Sequence, residues 1–243
     1  MRLKSLALIA LAGLTLAGCG LGGGQDAAFG KKVRAYLMAH PEVIRDAVQK
    51  LQENEQAAAN LKVKAALTQN RQALERDPRD FVANPNGKIT VTEFYDYRCP
   101  HCINAAPAVL GIIKSNPDVR FVFKEMPIFG DVSEQAARAA IAVKKAGGNY
   151  VGFYQTAMST RGLDPAGISR IARQYGVDPA AAQASPARDA ADAQLVDVHR
   201  LASALNIDGT PTFIIGDTII PGEDMDSVRA AIASAKAAEG KSS

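Results

Sequence analysis

The chain has no dense block of Lys or Arg, and its 28 basic and 25 acidic residues leave a formal charge of only +3. Both facts exclude an electrostatic nucleic-acid binder, so no nucleic-acid partner is expected. Tryptophan is absent and aromatic residues make up 6% of the 243 positions. No internal repeat of solenoid type occurs. Only three cysteines are present, Cys19, Cys99 and Cys102, and only three histidines. A four-ligand structural zinc site is therefore short of donors, since His40 and His199 fall in unrelated helical segments. What the chain does have is 47% hydrophobic residues, enough for one substantial domain or a domain with an appendage.

The first stretch, MRLKSLALIALAGLTLAGCG, starts with Arg2 and Lys4 and continues into a short apolar run without a stop-transfer flank. It reads as a targeting signal over residues 1–18. Its end, LAGC, resembles the lipobox of bacterial lipoproteins, which implies cleavage before Cys19 and lipidation of that thiol. The alternative is an ordinary secretory signal cut further along. Gly20 rather than an aspartate follows the cysteine, and by resemblance to the bacterial sorting rule this points to the outer membrane. The implied location is periplasm-facing, with a lipid anchor in the membrane. Cys99 and Cys102 are then the remaining thiols of an exported chain, in a compartment where disulfides matter.

GLGGGQDAA makes residues 19–28 a flexible tether. Residues 29–78 read as helical, with a break at His40 because Pro41 biases its predecessor away from helix and suits a first turn. The long second stretch has a narrow apolar seam, Ile44, Val48, Leu51, Ala58, Leu61 and Ala65, interrupted by Glu55. Such a helix is either an arm across its own domain or a segment that self-associates into a homo-oligomer. DPRDFVANPNGKI marks a boundary. KITVTEFY and VRFVFKEM read as strands around a helix at residues 100–115, an α/β pattern. Residues 131–206 read as a helical insertion, with Ser133, Asp164, Asp178 and Ser185 as cap candidates. TFIIG and TIIPG follow as a hairpin, then a final helix to about residue 239.

The pair in YRCPHC sits where the first strand gives way to a helix. A sulfur there faces unpaired backbone N–H groups and the positive end of the helix dipole, which favours the thiolate. Cys102, one turn on, is close enough to close a disulfide and is the more buried member. His101 adds a donor or a charge near the Cys99 sulfur. A metal clamp needs ligands the chain does not offer, and a staple over so short a loop would restrain the unfolded chain little. Thiol–disulfide exchange fits the pair best. It needs no dissociable cofactor, because the electrons reside in the cysteines.

EFYDYRCPHC with the late TPT resembles the DsbA family of thiol–disulfide oxidoreductases, over about residues 87–239. The family implies a thioredoxin fold with a helical insertion, here preceded by a helical extension. It makes Cys99, Pro100, His101 and Cys102 the catalytic centre, and Glu93 the buried acid that relays a proton to or from Cys102. On the strand pattern alone, Glu93 could equally be exposed. Pro107 matches the proline within the active-site helix. Thr210 and Pro211 match the loop whose cis-proline packs beside the cysteines, offers backbone groups to substrate and keeps metal from the sulfurs. The extension is similar to the ScsC and Com1-like branch, in which it can oligomerise the protein and favour isomerase activity.

The implied function is forming or isomerising disulfides in exported proteins with cysteines, reset by a membrane redox partner. A copper-handling protein using the same C-x-x-C is the alternative from another class, and a surface antigen with a vestigial centre is a third.

Overall fold

A computed structural model of the chain describes residues 23–242. These divide into two compact units, one ending at Ala58 and the other beginning at Ala59. The first holds helix α1 (Gly23–Ala39) and the start of helix α2 (Glu42–Glu75). Pro41 separates them, since it cannot donate to the helical ladder and disfavours helix at the residue before it. The corner is tied by the Glu42 carboxylate, 3.1 Å from His40 Nδ1, and by the Tyr36 ring 4.6 Å from the His40 ring. The tether expected over residues 19–28 is already helical from Gly23. Asp26 sits in the first turn, where an acid suits the helix dipole. In this unit Phe29, Tyr36, Met38, Ile44 and Leu51 are all exposed.

The second unit contains the rest of α2, whose Leu67 and Leu74 are fully buried. This half of the helix is an arm across its own domain. Strand β1 (Phe81–Ala83) follows, then β2 (Ile89–Tyr95), helix α3 (Pro100–Ser115) and β3 (Val119–Glu125). Five helices come next: α4 (Asp131–Lys145), α5 (Tyr150–Ser159), α6 (Pro165–Gln174), α7 (Pro179–Gln183) and α8 (Ala187–Ala204). Strands β4 (Thr212–Ile215) and β5 (Thr218–Pro221) and helix α9 (Met225–Ser242) complete the chain. The sheet order is β1-β3-β2-β4-β5, with only β2 and β3 parallel. That parallel pair is joined through α3, the crossover such pairing requires.

Period-two alternation splits the sheet into two faces. Val91, Tyr95, Phe121, Phe123 and Phe213 pack with α3 and helices of the insertion. On the other face Phe94 and Ile214 pack with Leu67 and Leu74 of α2 and Val198 and Leu201 of α8. Lys124 lies on this second face, fully buried, paired with Asp80 and donating to the Ala73 carbonyl at 2.5 Å.

Several local readings are corrected. Residues 81–83 were expected to be boundary loop and instead form an edge strand antiparallel to β3. Ser133 does not cap α4: Gly130, at φ 80°, holds that position, and Ser133 Oγ donates to Asp96 Oδ1 at 2.8 Å. Ser185 does not cap α8 either; its hydroxyl donates to Asp189 at 2.6 Å, and Pro186 takes the cap position after a cis peptide. Asp164 and Asp178 do cap their helices, accepting from Gly167 N and Ala180 N.

Breaking the Lys124–Asp80 pair leaves an unpaired charge in the core. Asp80→Ala should therefore lower stability by about 3–5 kcal/mol in a urea titration.

Candidate active site

β2 is the middle strand, and it delivers the chain to the start of α3. Cys99 is the N-cap residue, with extended backbone (φ −69°, ψ 120°), and Pro100 occupies the first turn. The proline's fixed φ suits that position and its missing N–H costs nothing there. The Cys99 carbonyl accepts from Ile103 N at 3.0 Å, which starts the helix. Cys102 then falls on the inner face of α3. Both cysteines are free thiols, and both are buried, at 1% and 0% exposure.

The Cys99 sulfhydryl donates to the Thr210 carbonyl at 3.1 Å. The Thr210–Pro211 peptide is cis, and the Pro211 carbonyl accepts from Gly222 N at 2.7 Å. The Thr210 hydroxyl is buried without a protein partner. Burial pushes the Cys102 thiol well up, and the nearby Glu93 carboxylate pushes it further.

Glu93 is fully buried on the α3 face of β2, opposite Phe123 on one side and Phe213 on the other. Neither of its oxygens has a hydrogen-bond partner in the protein, and nor does the Tyr154 hydroxyl beside it. Desolvation first, and then the charge of Glu125, raise its carboxyl to about 8; the Tyr154 hydroxyl offsets part of this.

His101 points outward, 65% exposed, with Nδ1 3.3 Å from Glu223 Oε1. The ring's polar contact is with the Glu223 carboxylate. Glu223 was missed in the sequence, as no spacing links the PGED loop to residue 101. Pro107 lies within α3, exposed. Beside α3 opens a cavity of about 650 Å³, lined by Tyr97, Arg98, Ile103, Met158 and Arg161 among others. Cys19 lies outside the described residues.

Residues 90–233 match the family model of the DSBA-like thioredoxin domain. The chain belongs to the DsbA-like thioredoxin family. Its fold is thioredoxin-like, with a mixed sheet and an N-terminal helical extension. Residues 25–58, within that extension, match the N-terminal domain described for the copper resistance protein ScsC. ScsC of Proteus mirabilis in a transitional conformation is 26% identical, with a TM-score of 0.63 over 89% of this chain and 99% of that one. The thiol:disulfide interchange protein DsbA of Bordetella pertussis is 33% identical over 138 residues, covering 54% of this chain and 64% of that protein. The chain also matches a Na(+)/H(+) antiporter NhaA of Salinispora arenicola at 28% identity, over 65% of this chain but only 25% of the antiporter's length. Among the described residues no helix is long and apolar enough to cross a membrane.

A carboxyl whose folded pKa of about 8 lies above its unfolded value keeps its proton in the folded state after the unfolded chain has lost it. The stabilisation is complete below about pH 4.5 and is lost as the pH rises to about 8. The urea midpoint should fall across that window. Glu93→Gln should make the fall shallower, because the amide does not titrate.

Proposed function

We propose that this DsbA-family chain is a thiol–disulfide oxidoreductase of the bacterial cell envelope, working on exported proteins through Cys99 and Cys102. The observation that carries the reading is the junction of β2, α3 and the Thr210–Pro211 loop. It holds one thiol at a helix start against a backbone carbonyl and the second in the core beside an orphaned acid.

In the oxidising direction a substrate thiolate attacks the Cys99 sulfur of a Cys99–Cys102 disulfide. The bond between the two cysteines breaks, a mixed disulfide forms on Cys99, and Cys102 leaves with the electron pair. Cys102 then takes a proton, for which Glu93 is the adjacent donor. A second substrate thiolate attacks the substrate sulfur of the mixed disulfide and releases Cys99, so the substrate gains the disulfide and the enzyme becomes the dithiol. A membrane redox partner must then remove the two electrons. In the isomerising direction the dithiol form starts the cycle: Cys99 attacks a wrong substrate disulfide and departs when a substrate thiolate displaces it. Thr210 offers backbone groups to the substrate strand in either direction, and Pro100 and His101 form the rim that substrate meets.

The exposed apolar residues of the first unit support self-association. Phe29, Val33, Leu37, Met38 and Ile44 line one shallow depression, and the match to the ScsC N-terminal domain spans residues 25–58. Copies joined there would present more than one redox centre to a substrate, which favours isomerisation. The lipobox reading of Cys19 supports lipid anchoring towards the periplasm, at the outer membrane. The copper-handling reading is less favoured, since the DSBA-like family model spans the domain that carries the cysteine pair and its DsbA relative is a thiol:disulfide interchange protein.

Reduced and scrambled ribonuclease separate the directions. The wild type should recover activity from both, and recovery from the reduced form alone would leave an oxidase. Cys99→Ser should abolish both activities, whereas Cys102→Ser should accumulate mixed disulfides with substrate, resolved on a non-reducing gel. Val33→Glu should reduce the mass seen by light scattering and lower recovery from scrambled ribonuclease more than from reduced.

A further inference from the structure

The proposed reaction leaves unused a second buried acid, and its surroundings differ sharply from those of Glu93. Glu125 closes β3, where its register partner is Tyr95; Glu93 pairs with Phe123, two residues earlier in the same parallel ladder. Both acids therefore lie on the α3 face of the sheet. Glu93 accepts no hydrogen bond of normal geometry on either oxygen, and the hydroxyl beside it is that of Tyr154. Glu125 Oε1 accepts from the Tyr150 hydroxyl at 2.5 Å and the Tyr95 hydroxyl at 2.6 Å, with the Tyr97 hydroxyl at 3.4 Å. The cage is braced by packing, since the Phe81 ring stacks on Tyr150 at 4.2 Å.

Two ionised carboxylates in one dry pocket repel each other strongly, so such a pair gives up its protons in two separated steps. Hydrogen bonding to the charged form decides which acid ionises first. The Tyr95 and Tyr150 hydroxyls receive a charge on Glu125, with Tyr97 at 3.4 Å and held against Tyr95 at 2.9 Å, whereas the hydroxyl beside Glu93 is that of Tyr154 alone.

We infer that Glu125, the first of the two acids to ionise because Tyr95 and Tyr150 donate to it with Tyr97 close by, is a positioning residue whose negative charge, once formed, keeps a proton on Glu93 for delivery to Cys102. The inference rests on the oxidoreductase reading above. When the substrate thiolate displaces Cys102, the Cys102 sulfur takes the Glu93 proton. Glu93 becomes the carboxylate beside Glu125, and the repulsion between them drives recovery of a proton from solvent. Tyr97 also lines the cavity beside α3.

Few other charged groups face the pair. β2 and the residues after it contribute Tyr95, Tyr97 and Asp96. The Asp96 carboxylate is occupied by the N–H groups of Arg98, Ile128 and Phe129 and by the Ser133 hydroxyl. α3 contributes Cys102, α5 contributes Tyr150 and Tyr154, and β4 and β1 present only Phe213 and Phe81. Lys124 belongs to the opposite face with Asp80 and offers no counter-charge. Burial and the charge of Asp96 raise the Glu125 carboxyl to about 8, while its tyrosine donors pull the other way. Glu93 also stands at about 8, with the Glu125 charge among its causes.

The test uses full-length oxidised protein mixed with a reduced dithiol peptide, with acid quenching to follow formation of the mixed disulfide on Cys99. Attack by the peptide thiolate carries the same pH dependence in wild type and variant, so the ratio of rates isolates the buried pair. Glu125→Gln keeps an acceptor for the tyrosines and removes the charge. Its rate relative to wild type should be near unity at pH 6 and fall about tenfold above pH 8, the change expected when Glu93 ionises about one unit lower. Tyr150→Phe removes one donor and should give a smaller fall in the same direction. The infrared band of the neutral Glu93 carboxyl should disappear about one pH unit lower in Glu125→Gln than in wild type. A ratio that stays flat with pH, or a band that does not move, overturns the counter-charge while leaving the oxidoreductase reading intact. A wild type that forms no mixed disulfide overturns the oxidoreductase reading itself.

Discussion

A single contact, from the Cys99 sulfhydryl to the Thr210 carbonyl, joins segments 111 residues apart and defines where the site lies. Everything in the sheet serves it. β2 brings Cys99 to its end of the contact and β4 begins immediately after Pro211, at Thr212. The two strands are antiparallel neighbours, with Phe94 opposite Thr212, so the start of α3 and the Thr210–Pro211 loop emerge at the same edge. The helical insertion between β3 and β4 lengthens the chain between these segments without altering that pairing.

Beneath the contact, the energetics of burial shape the chemistry. Both sulfurs are shielded from water, as are Glu93, Glu125 and four tyrosines. In such a medium the ionised form of an acid is costly, so a buried carboxyl holds its proton to higher pH. Of two such acids, the one with more hydroxyl donors around it ionises first. The same low dielectric raises the Cys102 thiol. On the other sheet face the buried charge of Lys124 is neutralised by Asp80 and fixed to the end of α2. The two faces thus differ: one holds the cysteine pair with two buried acids, the other closes the core over a neutralised charge.

Much of this was legible wherever local rules decide the outcome. The helix over residues 100–115, the break before Pro41 and the caps at Asp164 and Asp178 follow from proline geometry and short-range capping, and the structure has them. What escaped depends on partners distant in the chain. β1 is a three-residue strand that owes its existence to β3 rather than to its own composition. Ser133 looks like a cap, yet its hydroxyl is claimed by Asp96, 37 residues earlier. The face of Glu93 could not be read from alternation, because β2 is buried on both sides and offers no polar face as a reference. Glu125 sits in a strand that is buried throughout, and nothing near it in sequence announces tyrosines from β2, its following loop and α5. Half of α2 buries Leu67 and Leu74, whereas the apolar residues before Ala58 stay open, so one helical pattern covers two different fates.

The central claim is that Cys99 and Cys102 are an electron-exchanging pair rather than a fixed crosslink or a metal clamp. The reduction potential of the full-length chain, equilibrated in glutathione redox buffers and read by thiol alkylation, tests it most directly. The account predicts a potential between about −270 and −120 mV, the range of proteins that pass disulfides on. A value below about −300 mV would mark an inert structural crosslink and contradict it.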